Sequence, residues 1–120
     1  AALSEMAGPW PVSGAAIEIG EKALSDTEWA RATITRLRAE TARMDGLAQQ
    51  AGWQPLGGTE LFRLYRTPDA AAARAHLARA HIWSRIFPWS PHLLRLGLPG
   101  SDEEWERLGA ALADAAEGAA

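Results

Sequence analysis

Apolar residues recur at steps of three and four through the middle of the chain. Ile34, Leu37, Thr41, Met44 and Ala48 form one seam, and Arg31, Arg38 and Glu40 lie mostly off it. That period marks a helix with one buried face. It is expected from about Thr27 to about Gln50, with Gly52 as its stop. Ser25 and Glu28 have capping-box spacing at its start. Upstream, Ser13 is placed to cap a shorter helix through "GAAIEIGEKAL" that ends near Ser25. Before it, Pro9 and Pro11 around Trp10 forbid a regular helix.

Downstream the period changes to two. Gly57-Gly58 reads as a turn. In "LFRLYRT", Leu61, Arg63 and Tyr65 share one strand face, and Phe62, Leu64 and Arg66 the other. "TPDAAAARAHLARA" returns to helix, with Thr67 as cap, Pro68 at the first helical position and a small apolar side of Ala70, Ala73, Leu77 and Ala80. "IWSRIF" and "HLLRLGL" read as two more strands joined by the rigid loop "PWSP". A second capping box, Ser101 and Glu104, opens a last helix with Trp105, Leu108, Leu112 and Ala115 on one stripe, ending at Gly118. Three short strands covered by helices on one side predict a two-layer α/β sandwich.

Composition narrows the function classes. The 120 residues suit one domain with a modest core. A net charge of −3 gives no electrostatic case for nucleic acid. With no cysteine, disulfides, thiolate metal sites and thiol nucleophiles are excluded, and a reducing cytoplasm is compatible. No apolar run approaches the roughly 20 residues that span a bilayer. "AALSEMAGPW" lacks the basic and apolar regions of a signal peptide. Six tryptophans on this frame predict large apolar contacts.

Few residues are candidates for chemistry. His76 and His81 are five apart, so they do not share a helix face, and no His-Glu-x-x-His pattern occurs. His81 stands where a helix should stop, in a conformation that histidine tolerates. Asp102, Glu103, Glu104 and Glu106 sit in the first turns of a helix, where its dipole favours negative charge. Lys22 is the single lysine and lies among glutamates, unlike a desolvated catalytic amine. The arginines remain. Arg95 interrupts the leucines of "HLLRLGL", and Arg85 lies in the preceding strand. If these strands pair, two guanidiniums share one sheet face. Alternation alone leaves two readings open: solvent-facing arginines, or a carboxylate clamp.

"GPWPVSGAAIEIG", "GGTELFRLYRT", "HIWSRIF" and "HLLRLGLPG" follow the order of similar segments in the C-terminal part of fold-type I pyridoxal-phosphate enzymes, the class I/II aminotransferase family. The chain resembles that part over nearly its whole length. "GPWPVSG" with "LLRLGLPG" resembles in particular the threonine-phosphate decarboxylase branch of cobalamin biosynthesis, a relative of histidinol-phosphate aminotransferase. The resemblance implies a C-terminal small domain over residues 14–120, an α+β two-layer sandwich with a small three- to four-stranded, mostly antiparallel sheet covered by helices, preceded by an interdomain segment at residues 1–13. It implies that Arg95 clamps a substrate α-carboxylate and that Arg85 lies near a distal phosphate. It implies pyridoxal phosphate in the full-length enzyme but none held by this chain, which would be inactive alone. The partners implied are a large cofactor-binding domain, a small amino-acid phosphate substrate and, at full length, a second subunit in a cytoplasmic homodimer.

Three departures stand against the family pattern. His81 occupies a position that is usually glycine, and Pro11 one that is often asparagine. The Ser-x-x-Lys-type motif that carries the Schiff-base lysine is missing, and Lys22 does not replace it. The alternative is a free-standing α/β module for amino-acid binding or dimerisation, which would again use Arg95 for a carboxylate.

Overall fold

The strand Ser90–Gly97 sets the architecture, because its residues sort cleanly between two faces. Leu94 and Leu96 are fully buried, each burial contributing about 1.5–3 kcal/mol. Leu93, Arg95 and Gly97 must then face the other way. In the computed structural model, which describes residues 8 and 11–117, this strand is the fourth of four. The elements in order are α1 (Gly14–Ser25), α2 (Thr27–Gln50), β1 (Gln54–Gly58), β2 (Phe62–Arg66), α3 (Ala70–Arg79), β3 (Arg85–Phe87), β4 (Ser90–Gly97) and α4 (Asp102–Glu117). The sheet has order β1-β2-β4-β3 and every pairing is antiparallel. The expected α+β class is therefore observed.

The chain divides into two compact units, residues 1–33 and 34–120. In the first, Ser13 caps α1 through the Ala16 N–H (3.2 Å), and no residue of α1 is buried. Helix α2 begins in this unit. Its cap is Asp26, whose carboxylate accepts from the Trp29 N–H at 2.9 Å, rather than the expected Ser25–Glu28 box. Ser25 instead donates its hydroxyl back to the Glu21 carbonyl at 2.7 Å and closes the preceding helix. Pro9, Trp10 and Gly118 lie outside the described residues.

In the second unit α2, α3 and α4 supply one layer. Met44, Ala48, Leu77, Trp105, Leu108 and Leu112 pack with Trp53, Tyr65, Leu94 and Leu96 in a single core. Of the α2 seam, Thr41, Met44 and Ala48 are buried while Ile34 is largely exposed. Trp53 and Trp105 are the tryptophans of this core; Trp29, Trp83 and Trp89 remain exposed. The capping box of α4 forms as expected. The Glu104 N–H donates to the Ser101 hydroxyl, and the Glu104 carboxylate accepts from the N–H groups of Gly100 (2.6 Å) and Ser101. Those two N–H groups hold the Glu104 carboxyl below its usual range.

Two sequence expectations need correction here. Gly57 and Gly58 are not a turn but the end of a first strand, with a bulge between Pro55 and Gly57. The reversal falls at Thr59–Leu61, where the Thr59 hydroxyl accepts from the Leu61 and Phe62 N–H groups. Helix α3 is capped by Asp69, which accepts from the Ala71 and Ala72 N–H groups, and not by Thr67. Thr67 is buried, and both its N–H and its hydroxyl bond the His92 carbonyl of β4.

Both long-helix stops follow one design. After α2, the Trp53 N–H reaches the Ala48 carbonyl and the Gly52 N–H that of Gln49, with Gly52 at φ 75°. After α3, Ile82 reaches Leu77 and His81 reaches Ala78, with His81 at φ 58°. A histidine thus holds a left-handed position that glycine occupies without steric cost. His81→Gly should raise stability by about 1 kcal/mol in chemical denaturation. At Gly58, φ is 141° and an added Cβ would collide with the Phe62 carbonyl oxygen. Gly58→Ala should therefore cost about 2 kcal/mol or more, read the same way.

Candidate functional site

The sheet face turned away from α3 and α4 carries the candidate residues. Strand register places Arg85 directly opposite Arg95, and Arg95 opposite Leu64 of β2. The two arginines named from the sequence are thus cross-strand neighbours. Arg66, opposite Leu93, adds a third arginine to that face. Directly opposed residues have Cβ atoms roughly 4.5–5.5 Å apart, and like charges so placed destabilise a sheet. The Arg95 guanidinium lies 4.3 Å from the Phe62 ring centroid and that of Arg85 lies 5.6 Å from Phe87. Cation–π contact of this kind is worth about 0.5–1 kcal/mol at an exposed site and orients the guanidinium without neutralising it.

Arg95, Arg85 and Phe62 line one side of a cleft of about 400 Å³, with Trp83, Ser84 and Arg74. No carboxylate lines it. None of its three arginines has a carboxylate partner among the described residues, whereas Arg36, Arg38, Arg63 and Arg107 each have one. A cleft with three cations and no internal counter-charge is chemically suited to an anion.

A second charged cluster escaped the sequence reading and is structural. Asp45 of α2 accepts from Arg63 Nε (3.1 Å) and Nη2 (2.6 Å), and from the Tyr65 hydroxyl (2.7 Å). Burial pushes the Asp45 carboxyl up, but the Arg63 and Tyr65 hydrogen bonds and the Arg63 charge outweigh it and hold it below the usual range. Burial and the Asp45 contact push the Tyr65 phenol up, so it stays protonated as a donor. The available signal was the shared face of Arg63 and Tyr65, since a half-buried arginine needs an acid nearby.

His76 and Lys22, also weighed from the sequence, have structural partners. His76 Nε2 lies 2.7 Å from the Ala111 carbonyl oxygen, tying α3 to α4. Among the described residues no group of acids and histidines could hold a metal, and no helix is long and apolar enough to cross a membrane. Lys22 Nζ is 3.0 Å from Glu18 on a side chain 77% exposed. A lysine that forms an imine with a cofactor is desolvated or placed beside cations. Lys22, the single lysine, therefore does not fit as the imine-forming anchor of pyridoxal phosphate.

Comparison with known proteins places this geometry. The fold matches part of a Burkholderia pseudomallei K96243 protein with a provisional aminotransferase name. The TM-score is 0.66, over 80% of this chain and 30% of that one, at 23% identity. The architecture is thus that of one part of that protein. In sequence, the chain is 41% identical over 111 residues to a threonine-phosphate decarboxylase of Pseudomonas aeruginosa, covering 92% of this chain and 33% of the relative. It is 38% identical over 114 residues to a threonine-phosphate decarboxylase of Sinorhizobium sp., covering 94% and 33%. The resemblance read from the sequence is borne out, and the chain spans about a third of the length of these curated relatives. No family model matches it.

The Asp45 cluster gives a pH test. A depressed folded pKa contributes stability that is complete above the ordinary aspartate value and is lost as pH falls through the lower, folded value. Asp45→Asn should cost about 1.5–3 kcal/mol at neutral pH. Its denaturation midpoint should converge on that of the unaltered protein as pH falls through the acidic range.

Proposed function

We propose that residues 14–120 form the C-terminal substrate-binding domain of a pyridoxal-phosphate-dependent threonine-phosphate decarboxylase or aminotransferase of cobalamin biosynthesis, with residues 1–13 as the interdomain segment. The reading is supported most directly by the opposed pair Arg85 and Arg95, two cations that repel until an anion joins them. Arg95 takes the α-carboxylate in a forked pair of charged hydrogen bonds. Arg85 faces the distal phosphate. The Phe62 ring under Arg95 limits where its guanidinium can lie.

These residues bind and orient. Fixing the carboxylate fixes the rotation of the substrate about its Cα, which is an entropic contribution to rate. The cofactor belongs to the rest of the larger enzyme, a cytoplasmic homodimer whose large domain completes the site. This chain alone does not turn over.

In that enzyme, Arg95→Ala should lower kcat/KM about 10- to 100-fold, as for loss of a charged hydrogen-bonded pair. Arg36→Ala, which breaks a solvent-exposed i,i+4 ion pair, should leave kcat/KM within about twofold. Mixing this chain alone with pyridoxal phosphate should give neither an imine absorbance nor turnover. Stoichiometric imine at Lys22, or equal effects of the two substitutions, would contradict the reading.

A further inference from the structure

The cleft does not end at the open sheet face. Arg74 comes from α3, on the helix-covered side, and Ser84 immediately precedes the edge strand β3. The cleft therefore runs from Arg95 and Arg85 around the free edge of β3 to Arg74. Ser84 is 4% exposed, and its hydroxyl has no hydrogen-bond partner among the described residues. A buried hydroxyl without a partner costs about 1–3 kcal/mol, a cost that a ligand oxygen at the cleft would offset. Arg74 likewise has no counter-charge there, although α3 packs on β3 and β4. Nothing in the assignment of Arg95 and Arg85 accounts for either residue.

We propose that Arg74 and Ser84 seat the phosphate monoester of the ligand, with Arg74 as the residue that reads its second negative charge. Charge balance supports this. The cleft holds three guanidiniums. The carboxylate and the phosphate monoester of such a ligand together carry about −2.5 to −3 near neutral pH, and its α-ammonium, which no residue of this cleft is assigned to meet, carries the balancing positive charge. Arg95 meets the carboxylate, and Arg85 and Arg74 flank the phosphate from the two sides of the β3 edge. The Ser84 hydroxyl donates to a phosphate oxygen. Arg74 and Ser84 are thus specificity-determining residues that distinguish an amino-acid phosphate from the free amino acid. The inference rests on the reading of Arg95 as the carboxylate clamp for its ligand class, but its test does not.

The test is a titration of this chain followed by NMR at the indole N–H of Trp83, which lines the cleft and is 88% exposed. The probes are inorganic phosphate, O-phospho-L-threonine, L-threonine and L-glutamate. Saturable shifts are expected with the first two at millimolar concentrations, roughly 4 kcal/mol of binding. Arg74→Ala should weaken both phosphate probes about fivefold or more and leave L-threonine unchanged, while Arg74→Lys recovers part of the loss. Ser84→Ala should weaken them about two- to threefold without lowering the denaturation midpoint, since it removes a hydroxyl that has no partner in the protein. Arg95→Ala should weaken L-threonine and O-phospho-L-threonine but not inorganic phosphate. Failure of that last arm alone would overturn the carboxylate clamp and leave the phosphate seat standing. The phosphate seat is overturned if Arg74→Ala binds inorganic phosphate as the unaltered chain does. It is equally overturned if L-glutamate competes as well as O-phospho-L-threonine, or if the Trp83 signal never saturates with either phosphate probe.

Discussion

The period-two alternation of β4 is the constraint on which everything else depends. Leu94 and Leu96 must be buried against the helical layer, and a strand offers only two faces. A slip of one residue would exchange Arg95 for a leucine in the core. The hydrophobic energy of those two leucines, about 3–6 kcal/mol together, therefore also holds the arginine outward. The antiparallel register of β3 then sets Arg85 opposite it. The proposed site lies on the side of the strand that packing does not need.

The same sheet solves its two charge problems differently. On the covered face, Arg63 meets a forked carboxylate and a phenol, and its charge is satisfied within the protein. Burial there demands it, because a half-buried guanidinium left alone costs several kcal/mol. On the open face, water tolerates Arg85 and Arg95 without an acid. What they spend is a modest mutual repulsion, which an anion placed between them would release. Arg63 is satisfied within the protein, whereas Arg85 and Arg95, in the same small sheet, have no carboxylate partner among the described residues.

Much of the fold was legible in the sequence, for local reasons. The span of α2 followed from its apolar period and from Gly52, and the start of α4 from its Ser-x-x-Glu box. Two readings failed where adjacent residues compete for one role. Ser25 and Asp26 are both capping residues, and Thr67 and Asp69 are both placed to start α3; hydrogen-bond geometry, not residue type, decides between them. A Gly-Gly pair looks the same whether it turns or bulges, so β1 was missed. Arg95 and Arg85 were named from the sequence, but a spacing of ten residues does not reveal that they are opposed. The register shift between Ile86 and Phe87 helps fix that, and it depends on the hairpin turn. Arg74 left no sequence signal at all, because it reaches the cleft from a different layer.

The central claim is that Arg85 and Arg95 form a like-charge pair awaiting an anion. A double-mutant cycle on stability, built from Arg85→Gln, Arg95→Gln and their combination, measures that coupling directly. In the absence of anion the two native arginines should destabilise each other by about 0.2–1 kcal/mol. At saturating O-phospho-L-threonine the coupling should reverse sign, because one ligand then bridges both cations. A coupling of zero under both conditions, or a favourable one without ligand, would contradict the pairing of these two residues as a site.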